Sequence, residues 1–481
     1  MNLTTTIKSI QDSMRKDVGV DGDAQRIGQL VWLLFLKIFD DREQEIEAFN
    51  PAYVSPIPLG LRWRDWAQNR EGITGDSLLE FVNGELFPTL KQMAPVNERE
   101  VVVHEVFSDA YNYMKSGTLL RQVVNKVSEM DFNRSQDRHL FNDVYEKVLS
   151  DLQGAGHAGE YYTPRAVTQF MIEMLNPRLG ERLLDPACGT GGFLVSAIEH
   201  IRRADVHTPA DVASLQASIF GIEKKPLPHL LCITNLILHG IDVPSNVRHD
   251  NTLSRPYRDY SERDRVDLIA TNPPFGGMEE NGIEQNFPSE FRTRETADLF
   301  LVLLMHILKD GGRAAVVLPD GTLFGEGIKT RIKERLLQTC NLHTIVRLPN
   351  GVFSPYTNIK TNLLFLQKGQ PTSEIWYYEH PYPPGAKSYS KTKPIRSEEF
   401  APERDWWLNR QEHAQAWRVG IDVIRANNFN LDMKNPRNLA TAHGDPATLL
   451  AAYDAATTAA AHTRARLKAE LLAAVLKTVD A

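Results

Sequence analysis

Residues 182–203 read "RLLDPACGTGGFLVSAIEHIRR". Leu183 and Leu184 open a short apolar strand that ends in an acid, Asp185. Gly189, Gly191 and Gly192 follow in "PACGTGG", and an apolar helix begins at Phe193. Glycines let a backbone turn tightly and approach a ligand closely. A helix start offers unbonded N–H groups. A dinucleotide fold places its acid about 20 residues after G-x-G-x-x-G, whereas here the acid precedes the glycines. A P-loop needs Lys-Ser/Thr after its last glycine, and Phe193 excludes that. An acid ahead of the turn suits a cationic or amino-bearing ligand better than a pyrophosphate.

The same rhythm extends outward. "SIFGIE", "VDLIAT", "RAAVVLP", "LHTIVRLP", "KTNLLFLQK" and "EIWYYEH" read as strands. "PLPHLLCITNLILHG", "ADLFLVLLMHILKD" and "IKTRIKERLLQT" read as helices, the second stopped by Gly311 and Gly312. Strands alternating with helices predict an α/β, doubly wound, mostly parallel sheet. Such sheets bind ligands beyond the carboxyl ends of their strands. Glu223 ends one strand and can accept hydrogen bonds from both hydroxyls of a ribose. Asp250, in "RHDNTL", ends a third segment and can face an adenine amine. With Asp185 they describe a nucleoside pocket.

A second motif, "LIATNPPFGGMEE", spans 268–280. The Asn272 side-chain oxygen and the Pro273 carbonyl are two acceptors, and Pro273 and Pro274 fix φ without adding an N–H. Two acceptors side by side match the two hydrogens of an exocyclic amine. Holding both favours a pyramidal nitrogen whose lone pair points at an incoming methyl group. Phe275 can stack on the ring that carries the amine. This chemistry needs no metal and no strong base. Residues 276–296 then form a long polar loop, of a length that is usually functional inside a compact domain.

Outside this core, residues 1–150 read as a helical bundle: Leu30–Phe39 is strongly apolar, and residues 116–130 and 139–152 repeat apolar residues at helical spacing. After residue 400 no further strand pattern is expected. A tail helix is expected to open with Asp445 as N-cap and Pro446 at its first position. Leu449, Tyr453, Leu467 and Leu471 lie on one face of it, a stripe that either folds back or meets a partner helix. The 481 residues include three scattered cysteines, which fits a reducing cytosol and neither disulfides nor a cysteine zinc site. No apolar run reaches the ~20 residues that span a bilayer. The net charge of −7 is unlike the basic surplus of a protein that grips nucleic acid alone.

"DPACGTGGF" followed by "NPPF" resembles the S-adenosylmethionine-dependent amino-methyltransferases. "GEYYTPRAVTQF" upstream is similar to the extra cofactor motif of the DNA adenine-N6 branch. The helical N-terminus, "ADLFLVLLMHILKDGGRAAVVLPDG", "LPNGVFSPYTNIKTNLLFL" and "FNLDMKNPRN" extend the likeness over nearly the whole chain. They resemble the modification subunit of type I restriction–modification systems. That resemblance implies a Rossmann-like methyltransferase sheet at 151–400, flanked by an N-terminal helical domain at 1–150 and a helical tail at 401–481. It implies S-adenosyl-L-methionine as cofactor, held by Glu160, Tyr161, Tyr162, Thr163, Pro164 and Arg165, by Asp185 at the methionine end, by Thr190, Gly191 and Gly192, by Glu223 at the ribose and by Asp250. Asn272, Pro273, Pro274 and Phe275 would hold the target adenine, with Phe353 or Tyr356 as a second stacking face.

A base inside a duplex must leave the stack to reach a buried methyl donor. Sequence is read in the grooves, and the 81 residues after 400 are few for a base-reading domain. The resemblance therefore implies a separate specificity subunit flanked by two modification subunits, with a restriction nuclease subunit joining them on double-stranded DNA in the cytoplasm. The basic stretches "FRTRET" and "KTRIKERLL" either contact phosphates or are ordinary solvated faces. Two other readings remain: a protein glutamine N5-methyltransferase, which shares the NPP-aromatic motif, and a non-catalytic nucleoside-binding scaffold.

Overall fold

The computed structural model describes residues 3–130, 132, 163–354, 357, 359–390, 392–437 and 446–479. Glu160, Tyr161, Tyr162, Tyr356, Asp445 and the helix expected at 139–152 lie outside the described residues. The chain divides into two compact units, Met1–Met433 and Lys434–Ala481. The second contains one long helix, Pro446–Val479, on which Leu449, Tyr453 and Leu467 are exposed.

In the first unit the strands are β1 (Leu183–Asp185), β2 (Ile219–Glu223), β3 (Val247–His249), β4 (Val266–Thr271), β5 (Leu308–Pro319), β6 (Cys340–Arg347), β7 (Thr361–Lys368), β8 (Glu374–Glu379) and β9 (Ala416–Gly420). They form one sheet in the order β3-β2-β1-β4-β5-β7-β6-β8-β9. From β3 to β5 every pairing is parallel. β7 inserts antiparallel between β5 and β6. Parallel strands covered on both faces read as continuous apolar runs, and β1 and most of β4 are buried throughout.

Two departures from expectation have local causes. The helix after the polar loop ends at Ile307, not at the glycines, and β5 starts at Leu308. Leu308 already pairs with Val266, and a bulge between Val266 and Leu268 lets β5 carry Gly311 and Gly312 through the edge of the ladder. A strand also follows residue 400: β9 pairs antiparallel with β8, Trp417 opposite Tyr377 with the two rings stacked. Its short length and polar Arg418 hid it from pattern reading. The sheet therefore continues beyond the boundary expected at 401.

Helices Arg165–Leu175, Gly192–Asp205 and Pro226–Leu238 share one core with the N-terminal helices, while Thr296–Ile307 and Ile328–Thr339 build a second core. The N-terminal layer is helical as expected, with Trp32, Phe35, Phe87 and Phe107 at its centre. Polar contacts tie it to the β3 side of the sheet: Arg42 Nε donates to Asp242, ahead of β3, at 2.7 Å, and His249 Nδ1, in β3, lies 2.8 Å from Asp109. Among the described residues, no helix is long and apolar enough to cross a membrane.

Candidate active site

Strand order sets the site. β3, β2, β1 and β4 are neighbours and run the same way, so their carboxyl ends fall on one edge. Asp250, Glu223, Asp185 and Asn272 follow one another along that edge, although their order in the chain is 185, 223, 250, 272. Crevices at such an edge are where open α/β sheets bind ligands.

Asp185 is 1% exposed. Its Oδ1 accepts from Thr271 Oγ1 at 2.7 Å and from the Ala187 amide at 3.1 Å. Burial pushes its pKa up to about 7, with the Glu223 charge adding to the rise. A carboxyl in that state is matched by a ligand that carries positive charge. The Glu223 carboxylate accepts from the Gly189 amide at 2.9 Å and from the Lys225 amide at 2.7 Å, which ties the glycine loop to the end of β2. The Asp250 amide donates to the Glu223 carbonyl at 3.0 Å, and the Asp250 side chain is exposed.

The glycine loop needs its glycines for different reasons. Gly189 and Gly191 have φ of +52° and +82°. A Cβ on Gly191 would also stand 2.8 Å from Cys232 Sγ. Asn235 Nδ2 donates to the Thr190 carbonyl at 3.0 Å, a support the sequence did not signal. Arg165 does not point freely at a ligand: its guanidinium holds Glu199 at 2.9 Å, and His239 and Arg165 keep that glutamate near a pKa of about 2 despite its burial. Pro164 caps the helix Arg165–Leu175.

At the end of β4, Asn272 Nδ2 donates to Thr163 Oγ1 at 2.9 Å. The nitrogen end of the amide is thereby turned to Thr163, and Oδ1, which is buried, is the other end. Pro273 is buried beside it. Phe275 and Phe353 are brought together, both 2% exposed, with centroids 6.3 Å apart and planes at 73°. They meet edge to face, so a base held between two parallel rings requires one of them to turn. Of the expected residues, Thr163, Asp185 and Asn272 are joined through two hydrogen bonds and the Thr271–Asn272 peptide.

Glu279 was not anticipated. It is 8% exposed, inside a loop that reads as a long, mainly polar stretch. Its carboxylate accepts from Lys224 Nζ and Asn251 Nδ2, both at 3.3 Å, and lies 3.4 Å from Thr296 Oγ1, whose hydroxyl donates to the Gly277 carbonyl at 3.0 Å. Lys224 and Asn251 directly follow Glu223 and Asp250, so Glu279 fastens the loop after Asn272 to the ends of β2 and β3. The basic stretches are largely engaged inside the fold. Arg294 donates to the Glu279 carbonyl, Lys329 pairs with Asp298 at 2.7 Å, and buried Lys333 donates to the Leu323 and Gly325 carbonyls.

The N-6 DNA Methylase family model matches residues 136–444, and the HsdM N-terminal domain model matches residues 3–127. The chain is 63% identical over 463 residues to the type I restriction enzyme EcoEI methylase subunit of Escherichia coli, covering 94% of both chains. It is 45% identical, with a TM-score of 0.82, to a crystal structure from Vibrio vulnificus YJ016 described as a modification subunit of a type I restriction enzyme, over 91% of this chain and 97% of that one. A chain from a structural study of complex assembly and conformational transition in a type I R-M system is 36% identical, with a TM-score of 0.80, over 97% of each.

Proposed function

The chain belongs to the N-6 DNA methylase family, and from that membership we propose how one edge of its sheet carries out the family's reaction. The protein is the modification subunit of a type I restriction–modification system, and it transfers a methyl group from S-adenosylmethionine to the N6 amine of adenine in DNA. It works with DNA, a specificity subunit and a restriction subunit. Nothing in the family or its relatives favours glutamine methylation or a non-catalytic scaffold. Placement in the cytoplasm, two modification subunits per specificity subunit and extrusion of the target adenine from the duplex are part of the proposal. So is a division into a helical domain at 1–150, a catalytic domain running to about 433, and a tail that meets the specificity subunit.

The observation that carries the assignment of roles is the row Asp250, Glu223, Asp185, Asn272 along one edge. Bound there, S-adenosylmethionine supplies a methyl group on a positively charged sulfur. Asp250 faces the adenine end, Glu223 the ribose and Asp185 the ammonium end. The buried Asp185 carboxyl, with its pKa lifted to about 7, fits that cation. Glu160, Tyr161, Tyr162, Pro164 and Arg165 are assigned to the cofactor as well, Arg165 through its pair with Glu199, whereas the Thr163 hydroxyl is engaged by Asn272. Thr190, Gly191 and Gly192 bring backbone close to the ligand.

Asn272 Oδ1 and the Pro273 carbonyl accept the two amine hydrogens of the target adenine, and the rigid Pro273–Pro274 pair holds them in place. Phe275 stacks on the base, and Phe353 or Tyr356 covers its second face. A dry site strengthens each of these contacts relative to water.

The test is methylation-aware sequencing of host DNA carrying this gene and its specificity partner, with Asn272 intact or replaced. N272A should abolish N6-methyladenine at the target sites while the purified complex still binds S-adenosylmethionine. Normal methylation by N272A would remove the proposed role.

A further inference from the structure

We infer that Thr163 is a positioning residue for methyl transfer: its hydroxyl accepts from the Asn272 amide nitrogen and so holds the amide oxygen toward the target amine. The inference rests on the proposed role of Asn272. The two ends of a side-chain amide have almost the same size, and the hydrogen-bond network decides which way it lies. Only one orientation serves this reaction. With oxygen outward, Asn272 accepts from an amine that has only hydrogens to give. With nitrogen outward, two donors meet and neither is satisfied.

The structure shows what supports the productive orientation. Thr163 Oγ1 receives Asn272 Nδ2–H at 2.9 Å, 109 residues away in sequence. Thr163 is 9% exposed, so water has little access to replace it. Its own backbone is anchored: Pro164 follows it, Arg165 grips Glu199 at 2.9 Å, and Thr168 Oγ1 lies 2.9 Å from Ser196 Oγ on the helix that starts at the glycine loop. The neighbouring residue is fixed from another direction, since Thr271 donates to Asp185 at 2.7 Å. Two consecutive residues at the target site are thus each held by a different segment of the cofactor side.

Replacing Thr163 by valine keeps shape and volume and removes the acceptor. The productive orientation then loses its 2.9 Å hydrogen bond to Thr163, and the loss of one such bond is worth roughly a tenfold slower transfer. Serine keeps the hydroxyl.

The experiment uses the full modification–specificity complex. T163V, T163A, T163S and N272A are compared for cofactor affinity by calorimetry, for KM with target DNA, and for single-turnover transfer rate. The expected result is a T163V rate down at least tenfold, with cofactor affinity and KM within about threefold, and most of the rate restored in T163S. T163A carries the same comparison if valine disturbs packing. Loss of cofactor affinity in parallel with rate would make Thr163 a cofactor residue and overturn the inference, as would an unchanged rate in both T163V and T163A. Full activity in N272A would instead overturn the reading on which the inference rests, whatever the Thr163 variants do.

Discussion

Thr271 Oγ1 donates a 2.7 Å hydrogen bond to Asp185 Oδ1, joining the residue before Asn272 to the acid before the glycine loop. This bond lies between two buried side chains and favours the ionised form of Asp185 against the pull of burial. T271V should therefore weaken cofactor binding at neutral pH by about five- to tenfold, the worth of roughly 1 kcal/mol for one such bond. Calorimetric titration of the purified complex measures it. An effect as large at pH 9 as at pH 7 would show that something other than the charge on Asp185 had changed.

The elevated pKa of Asp185 also makes the ligand-free protein pH-sensitive. Its value rises from 3.8 to about 7 on folding. The stability that comes from holding this proton is complete below about 3.8 and is lost as pH rises through 7. D185N is neutral throughout, so ligand-free D185N should melt above the wild type, by a margin that grows from pH 5 to pH 7 and is level beyond. Melting temperatures across that range test it. A margin that does not vary with pH would contradict the burial of an ionising group.

Cofactor affinity should show the complementary trend. A cationic ligand prefers ionised Asp185, so affinity rises with pH through about 7, by at most about tenfold per unit below that point. Binding then releases protons. Calorimetry at pH 6.5 in two buffers of different ionisation enthalpy reads the number released. Equal heats in both would exclude the linkage.

Gly191 has φ +82°, and a Cβ there would lie 2.8 Å from Cys232 Sγ. G191A should cost about 1–2 kcal/mol in backbone strain, plus the displacement of Cys232, and should reduce cofactor binding more than overall folding. Adding C232A removes the contact and leaves the strain, so the double variant should recover only part of the loss. Complete recovery would mean that the positive φ carries no cost at this turn.

Glu279 links the loop after Asn272 to Lys224 and Asn251 at the ends of β2 and β3. E279A removes the hydrogen bonds from Lys224 and Asn251, on the order of 1–2 kcal/mol of local closure. Limited proteolysis within 276–296 should speed up several-fold, and transfer should slow while the global melting temperature shifts little. Unchanged cleavage would separate Glu279 from the ordering of this loop.

The sequence by itself determined the chemistry. Asp185 before three glycines and Asn272 before two prolines are local patterns, set by which residue types allow a tight turn or a donor-free bend. Alternating apolar runs likewise announced the parallel half of the sheet. Pattern reading failed where the controlling contact is distant. β9 is a strand because β8 offers it a partner, and Arg165 is an anchor because Glu199 stands across from it. Only the tertiary structure ordered the acids as 250, 223, 185 beside Asn272, brought Thr163 to the Asn272 amide across 109 residues, and buried Glu279 in a loop of polar composition. The physical reason is that residue type sets which hydrogen bonds a side chain can make, while strand order and packing set which partner is within 3 Å.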